Sequence, residues 1–435
     1  MNREVLRLAV PSILANITIP LVGLVDTAIV GHISDAHAIG GIAIGTMLFD
    51  LLYWNFGFLR VGTSGMTAQA YGRGDRVECA RLLSQSVGIA LIGAAVIWML
   101  QWLFVTAVLA CVPCSAEVAD FARRYFFVRV WAAPATLSLM ALKGWFIGMQ
   151  DTVSPMATDI VVNVVNIIAS YTLAVYSPLG AIGVAHGTLI AQYTGLLLAA
   201  VIVLMKYRKV WNGLSLWRLA RDGQGMKRLM VLNGNLFIRS LCFMVVYVGF
   251  TSLASFYGDT ELAVSSIMMK LFMLFSYFID GFAYAGEALV GRFIGDEEQH
   301  NQVPRVVRVL FLWSVGLGIV ATVLFAFGAN PTYRLMTSDA DVLTAIQPFT
   351  PWLIAMPVVS ALAFMWDGVY TGATAGKEIR NGMIFAAIGF VVGYAATYRW
   401  LGVHAIYVGY FAHLIARVVY LTAKWKVVYD REIGE

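Results

Sequence analysis

The sequence predicts an all-α polytopic membrane protein with twelve transmembrane helices. Hydrophobic residues make up 60% of its 435 positions and charged residues only 13%, and the mean hydropathy is +0.77. A soluble domain averages about 45–50% apolar and about 25% charged residues. Apolar stretches long enough to cross a bilayer recur along the whole chain, which excludes a protein with one membrane anchor.

Twelve spans are predicted, and the basic residues alternate between the loops that join them. The spans are residues 6–31, 37–71, 79–111, 117–149, 154–176, 182–206, 227–256, 262–294, 302–330, 340–373, 379–400 and 404–429. The loops on the side of the N-terminus, together with the span ends that adjoin them, hold 20 of the 30 Lys and Arg residues, and those on the other side hold four. The positive-inside rule therefore predicts that both termini are cytoplasmic.

The net charge of +5 follows from these cytoplasmic loops and does not indicate a nucleic-acid partner. The first span lacks a small-residue cleavage pattern, so we expect it to remain as a helix rather than to be removed as a signal peptide. The partner that this composition predicts is the lipid bilayer; we also expect small organic molecules as substrates, and a monomer.

The two halves of the chain resemble each other. Residues 62–75 align with 283–296, and the glycine pair of 144–148 aligns with the pair of 368–372. Six spans separate the halves, so both have the same orientation and the repeat is parallel. The sequence predicts two pseudo-symmetric six-helix bundles. These are an N-terminal lobe (1–206), a cytoplasmic linker (207–225) and a C-terminal lobe (226–435).

Asp26 is the most informative residue of the first span. It is the only ionisable residue between Arg7 and His32. A carboxylate inside a transmembrane helix costs a few kcal/mol, and such residues usually pair with another group or bind a ligand. We therefore expect Asp26 to have a functional partner.

A polar stripe on the fifth span supplies candidate partners at the depth of Asp26. Asp159, Asn163, Asn166 and Ser170 follow at spacings of four, three and four, so they share one helix face. Thr188, on the sixth span, is expected at the same level. A carboxylate with amide and hydroxyl oxygens suits a proton or Na⁺, and the alternative is a hydrogen-bonded network that only fixes helix packing. The predicted cation-coupling residues are Asp26, Asn163, Asn166, Ser170 and Thr188.

Other ionisable residues fall inside the predicted spans, where each is expected to be paired, to face a cavity or to lie near an interface. The candidates for a substrate cavity are Asp159, Arg60, Arg239, Asp280 and Glu287. Lys143 and Asp367 occupy repeat-equivalent positions. They could form an ion pair between the lobes, or each could have a local partner.

The motifs of enzymes and of bound cofactors are missing from the sequence. The segment that ends in Gly376-Lys377 has Thr371 where a phosphate loop begins with Gly, and Glu378 where Ser or Thr should follow. No metal-site spacing and no nucleophile elbow is present, so we expect no enzyme, no metal and no cofactor. Cys111 and Cys114 either form a disulfide or are two small residues at a helix end.

Several motifs resemble those of the multidrug and toxic compound extrusion (MATE) family of the MOP superfamily, specifically its DinF-type subfamily. The resemblance covers essentially the whole chain and is most specific at residues 24–27, 58–70, 144–152 and 180–185. It implies two six-helix lobes and the efflux of organic, cationic or amphipathic compounds by antiport with H⁺ or Na⁺. For this sequence it implies the bacterial inner membrane as location.

The resemblance also implies a cation site at Asp26, Asn166 and Thr188. Relatives often carry a second aspartate at the position of Ser170, and its absence favours proton coupling. Protonation of Asp26 is then expected to drive alternating access, with Pro11 and Pro20 allowing the first helix to bend. The alternative is a flippase of the same superfamily that moves a lipid-linked or amphipathic metabolite.

Overall fold

The computed structural model describes residues 1–33, 36–112 and 114–434, which form seventeen α-helices and no β-strand. The helices of the first half are α1 (Asn2–Ile33), α2 (Ala36–Trp54), α3 (Phe58–Gly72), α4 (Arg76–Cys111), α5 (Ala116–Arg129), α6 (Ala133–Gly148), α7 (Val153–Val175) and α8 (Gly183–Lys206). The linker contains α9 (Arg208–Trp211) and α10 (Leu216–Ala220). The second half contains α11 (Gly223–Ser255), α12 (Asp259–Gly295), α13 (Val303–Met336), α14 (Ala340–Ala345), α15 (Thr350–Gly372), α16 (Gly376–Leu401) and α17 (His404–Gly434).

Within the described residues, eleven helical segments are long and apolar enough to cross a membrane. Helix α1 covers the first predicted span and is continuous through both of its prolines. The side chain of Pro20 lies outside the described residues. The structure thus confirms the all-α, multi-pass class.

Three of the predicted spans are each built from more than one helix. The second predicted span breaks at residues 55–57, where the Asn55 side chain donates to the Leu51 carbonyl oxygen (2.7 Å) and Gly57 follows. The fourth passes through a 3₁₀ turn at Val130–Ala132, just before Pro134. The tenth has a similar turn at Gln347–Phe349, between α14 and α15. Proline has no backbone N–H to donate, so helices tend to begin or break near it.

The repeat is visible in how equivalent glycines pack. A Cβ atom at Gly144 would collide with the Arg60 backbone, and one at Gly148 would lie 2.7 Å from the Ser64 carbonyl oxygen. The corresponding glycines of α15 behave the same way. There, Gly368 faces the backbone of Ala283, and Gly372 would place a Cβ atom 2.9 Å from the Glu287 carbonyl oxygen. Close backbone contact is what small residues four apart permit in membrane helices.

The same turn follows α6 and α15. Gln150 and Thr374, each six residues after the first glycine of its pair, have φ values of 60° and 52°. They are the two described residues other than glycine with positive φ. An uncommon left-handed conformation at both equivalent positions supports a repeated backbone design rather than chance.

The described chain divides into two compact units. One contains Leu14–Met230, and the other contains Val231–Glu435 together with Met1–Ile13. The predicted lobes have all of α1 in the N-terminal lobe, so the first 13 residues differ from that division. They group with the second unit because Glu4 lies 3.6 Å from Arg292 and a Cβ atom on Gly281 would meet the Ala9 carbonyl oxygen at 2.9 Å.

Candidate cation-coupling site

Helices α1 and α7 are joined by a hydrogen bond below the level of Asp26. The Asn163 amide nitrogen donates to the Thr18 hydroxyl oxygen at 2.5 Å. Thr18 lies two turns before Asp26 on α1, so Asn163 fixes the register of α7 against that helix. Asn163 is one of the five predicted residues, and its partner on α1 is a residue that the sequence did not single out.

Helices α7 and α8 are joined by a second hydrogen bond one turn further along. The Asn166 amide nitrogen donates to the Thr188 hydroxyl oxygen at 3.0 Å, and that hydroxyl donates to the Val184 carbonyl oxygen at 3.1 Å. Both side chains are buried. The sequence predicted that Asn166 and Thr188 lie close together, and the structure brings them into direct contact.

Ser170 is the member of the polar stripe on α7 that lies beside Asp26. The Ser170 side chain is fully buried and lies close to the Asp26 carboxylate. Its hydroxyl also lies 3.4 Å from the Val184 carbonyl oxygen. Gly187 of α8 makes this position possible, because a Cβ atom there would lie 2.6 Å from the Ser170 Cα atom.

Two buried acceptor oxygens of this group have no hydrogen-bond donor. They are Oδ1 of Asp26 and Oδ1 of Asn166, and neither has a partner among the described residues. Buried polar atoms are almost always hydrogen-bonded, so such an exception calls for a ligand, a proton or water. The group can therefore accept a proton or a small cation.

Arg129 is the charged neighbour that the sequence analysis overlooked. It lies on α5, where its Nη1 atom donates to the Tyr125 hydroxyl (3.1 Å) and its Cζ atom sits 4.7 Å from the centre of the Phe49 ring. It is within electrostatic range of the carboxylates of Asp26 and Asp50. The sequence did contain a signal for Arg129, because this residue lies about a dozen residues inside the predicted span 117–149.

Lys143 and Asp367 each have partners in their own unit. The Lys143 Nζ atom lies 2.7 Å from a carboxylate oxygen of Asp159. Asp367 pairs with two guanidinium groups, those of Arg239 on α11 and Arg417 on α17. The sequence left open whether Lys143 and Asp367 pair with each other between the lobes or have local partners, and the partners seen here are local. These pairs form because α6 lies near α7, and α11 and α17 lie near α15.

The remaining candidates for a substrate cavity lie in separate units. Arg60 belongs to the unit of Asp26 and Asp159, whereas Asp280 and Glu287 belong with Arg239 in the other. Glu287 is buried at the α12–α15 contact, and Asp280 lies within electrostatic range of Arg417. Their assignment to a cavity stays a prediction.

One shallow cavity of about 470 Å³ occurs in the unit of Asp26. It is lined by Trp131, Leu189, Ile190, Tyr193, Thr194 and Leu197. The Tyr193 hydroxyl donates to the Trp131 carbonyl oxygen at 3.0 Å, so the polar end of that ring is satisfied. What remains is an apolar and aromatic surface, and no residue predicted for the substrate cavity lines it.

A second polar cluster forms where α6 and α8 end. The Asp151 carboxylate accepts hydrogen bonds from Lys206 (2.7 Å), Tyr207 (2.6 Å) and the Ser154 backbone (3.1 Å). Burial would raise the pKa of Asp151, but the hydrogen bonds from Lys206, Ser154 and Tyr207 outweigh it and hold that pKa below its ordinary value. Burial and the bond to Asp151 raise the pKa of Tyr207.

The described residues contain no cluster of three or more side chains that could hold a metal ion. Cys111 and Cys114 are both free thiols in the structure, so the disulfide alternative is not realised there.

Comparison with known proteins identifies the family. A family model described as MatE matches residues 11–172 and again residues 236–398, which together make up most of the chain and fall one in each half. The chain belongs to the MatE family. The members are multidrug and toxin extrusion transporters, so this is a transport protein and not an enzyme. The double match also confirms the internal repeat.

Relatives with curated descriptions cover most of the chain. The DNA damage-inducible protein F of Escherichia coli (strain K12) is 32% identical over 429 residues, which cover 98% of this chain and 92% of that protein. The human multidrug and toxin extrusion protein 1 is 24% identical over 94% of this chain and 71% of its own length. The DinF-type resemblance is thereby confirmed.

Solved structures show the same fold. A MOP superfamily transporter from Pyrococcus furiosus matches with a TM-score of 0.88 at 18% identity, covering 100% of this chain and 97% of that one. A multidrug resistance MATE family transporter in an outward-facing conformation matches with a TM-score of 0.85, also at 18% identity, over 98% and 96% of the two chains. At these identities the likeness establishes the MATE fold alone.

Proposed function

We propose that this protein is a secondary active antiporter that exports organic cations or amphipathic compounds in exchange for H⁺, in a bacterial inner membrane with both termini cytoplasmic. The observation that carries the proposal is the buried Asp26 oxygen without a donor, next to Ser170 and the Asn166–Thr188 pair. Protonation of that oxygen neutralises the one carboxylate of the group. The gradient would then do work through a change in hydrogen bonding between α1 and α7.

Ser170 can transmit the protonation state. A hydroxyl has one proton to donate and can accept as well. When Asp26 is ionised, the Ser170 hydroxyl is best placed to donate a hydrogen bond to the carboxylate. When Asp26 carries a proton, it can donate to Ser170, whose own proton then turns toward the Val184 carbonyl oxygen, 3.4 Å away. Protonation thereby changes how α1 is bonded to α7 and how α7 is bonded to α8.

The donor set supports H⁺ over Na⁺. A hard metal ion takes several oxygen ligands at once, whereas a proton needs a single basic oxygen. Of the five predicted coupling residues, only Asp26 and Asn166 leave a buried side-chain oxygen without a donor in the described structure.

The pairing of the basic residues also argues against the flippase alternative. A flippase for an anionic lipid-linked metabolite would need unneutralised basic side chains along its cavity. Lys143 is paired with Asp159, and Arg239 shares Asp367 with Arg417. Lys143 and Arg239, two of the basic residues inside the predicted spans, are therefore each paired with a carboxylate.

The test is dye transport by the purified protein in proteoliposomes, with a pH gradient and a Na⁺ gradient imposed separately. We expect the pH gradient to drive transport of a cationic dye, and Asp26→Asn to reduce it at least a hundredfold. The matched control is Asp120→Asn, because Asp120 is an exposed carboxylate paired with Arg124 on α5.

The outcomes separate the parts of the proposal. Unimpaired transport by Asp26→Asn would remove Asp26 from coupling. Transport by the native protein that responds only to the Na⁺ gradient would replace H⁺ with Na⁺. Movement of a fluorescent anionic lipid analogue without any dye transport would favour the flippase.

A further inference from the structure

The linker between the two halves is fixed to the body of the first unit. The Arg81 Nε atom lies 2.9 Å from an Asp222 carboxylate oxygen. The fully buried Gln85 donates to the carbonyl oxygens of Leu219 (3.3 Å) and Asp222 (3.0 Å). A Cβ atom on Gly225 would lie 2.8 Å from the Arg81 side chain, so the chain can approach this closely only with glycine. These contacts hold one side of the linker against the start of α4.

The other side of the linker exposes an aromatic residue and a cation together. The Trp217 side chain on α10 is 68% exposed, and the Arg221 guanidinium lies 4.6 Å from the centre of its ring. Leu216 beside it is also exposed. A tryptophan in this position is unusual on a water-facing surface but is typical of the boundary between membrane and water.

The charge of this segment is strongly one-sided. Between positions 206 and 228 there are seven basic residues and one acidic residue. The acidic residue, Asp222, is paired with Arg81, and the basic Lys206 is paired with Asp151. The other six basic residues are exposed, and none lies within 4 Å of a carboxylate in the described part of the chain. These six, Arg208, Lys209, Arg218, Arg221, Lys227 and Arg228, define with Trp217 the basic linker face.

The basic linker face lies beside two spans. Helix α8 ends at Lys206 and α11 begins at Gly223, so the linker has no length to extend far from the membrane. Basic residues beside a membrane are attracted to anionic lipids, and indole rings prefer the headgroup level. We infer that the basic linker face is a binding site for anionic phospholipid headgroups of the cytoplasmic leaflet. The inference uses the proposed membrane orientation but not the identity of the coupling ion.

The test measures lipid retention by the full-length protein. The protein is purified in mild detergent with equal amounts of phosphatidylglycerol and phosphatidylcholine, and bound lipids are counted by native mass spectrometry. We expect the native protein to retain phosphatidylglycerol preferentially. The variant R218Q/R221Q/K227Q/R228Q should lose that preference at least tenfold, and added salt should weaken it because exposed charges are screened.

The matched control removes the same charge elsewhere. R305Q/R308Q/K424Q/K426Q changes four exposed basic residues of the other unit on the same predicted side of the membrane, and it should keep most of the preference. Trp217→Ser tests the aromatic part with a single exposed substitution and should lower retention about threefold. Thermal midpoints of all variants should match that of the native protein, which shows that they are folded.

Two results would overturn the inference. One is equal phosphatidylglycerol retention by the native protein and the linker variant. The other is tighter binding of a short RNA or an acidic peptide than of phosphatidylglycerol, with no effect of Trp217→Ser, which would assign the face to a soluble polyanion.

Discussion

At the scale of single residues, Arg129 supplies a fixed positive charge beside two carboxylates. Its guanidinium is held by the Tyr125 hydroxyl and the Phe49 ring, and it lies within electrostatic range of Asp26 and Asp50. A positive charge that is already in place opposes the binding of any further cation at these carboxylates. Arg129 is therefore expected to weaken the binding of Na⁺ at the site.

Replacing Arg129 with glutamine should let Na⁺ drive transport. Two unit charges about 4 Å apart interact by about 1 kcal/mol in water and about 4 kcal/mol at an effective dielectric constant near 20, so the loss of the Arg129 charge should increase apparent Na⁺ affinity about tenfold. Dye efflux under a Na⁺ gradient at constant pH measures this. Arg124→Gln is the control, since Arg124 lies on the same helix but is exposed and paired with Asp120. Equal Na⁺ dependence in both variants would contradict the role given to Arg129.

Ser170 should be required for coupling even though it carries no charge. Ser170→Ala removes the hydroxyl that donates to the Val184 carbonyl oxygen and, in the proposed mechanism, exchanges hydrogen bonds with the nearby Asp26. A hydrogen bond to a charged group is worth about 1.5–3 kcal/mol, so proton-driven transport should fall about tenfold or more. Ser177→Ala, near the end of the same helix, is the control because Ser177 bonds only locally. Proton-driven efflux from proteoliposomes distinguishes them, and native-like coupling by Ser170→Ala would reject this role.

At the scale of helices, Asp151 joins the ends of three elements. It accepts hydrogen bonds from Lys206 and Tyr207 at the end of α8 and caps the start of α7, directly after the turn that ends α6. Its equivalent in the second half is Ala375, where Arg431 of α17 instead pairs with Glu378 of α16. The two halves thus close the same end of the bundle with different residues.

Asp151→Asn should lower the thermal stability at neutral pH, by about 1–3 kcal/mol for a buried charge-assisted network. Because the folded state lowers the pKa of Asp151, its carboxylate stabilises the protein above the unfolded pKa of about 3.9. That contribution is lost as the pH falls through the lower folded pKa. Melting curves of both proteins should therefore differ most above about pH 5 and converge below about pH 4. The melting curve of the exposed Asp120→Asn variant should show no pH-dependent difference from that of the native protein.

The sequence predicted the helices and the polar stripe because both follow from local spacing. Apolar length defines a span, and the four, three, four spacing places Asn163, Asn166 and Ser170 on one face whatever the tertiary structure. The partners across helices depend on rotation and depth, which local spacing does not determine. Local spacing therefore did not indicate that Asn163 would bond to Thr18 rather than to a second charged group. Nor did it indicate that Arg417, among several buried charges, would be a partner of Asp367.

At the scale of the whole molecule, each unit contains its own counter-charges. The deep ionisable residues of the first half are Asp26, Asp50, Asp159, Arg60, Arg129 and Lys143, and those of the second half are Arg239, Lys270, Asp280, Glu287, Asp367 and Arg417. Each set has three acidic and three basic members. Three deep ion pairs, Lys143 with Asp159 and Asp367 with Arg239 and Arg417, each join members of the same set. A lobe that is neutral within itself can change conformation without exposing a net charge to lipid.

The orientation of the molecule can be tested with its own cysteines. Cys111, the last residue of α4, is exposed, and Cys114, between α4 and α5, is partly exposed, whereas Cys79 is buried. The excess of basic residues in the loops on the side of the termini predicts that this cysteine pair faces the outside of the cell. A membrane-impermeant maleimide should therefore label the native protein in intact bacterial spheroplasts.

The linker provides the opposite reporter. Ser215 is exposed in the linker, and Ser215→Cys in a background of Cys111→Ser and Cys114→Ser should be labelled only after the membrane is permeabilised. Cys242, which is partly exposed within α11, is removed from both proteins so that each signal has one source. Labelling of Ser215→Cys in intact spheroplasts, with protection of the native pair, would reverse the orientation. It would also place the basic linker face against the outer leaflet, so this single experiment tests the positive-inside argument and the premise of the lipid site together.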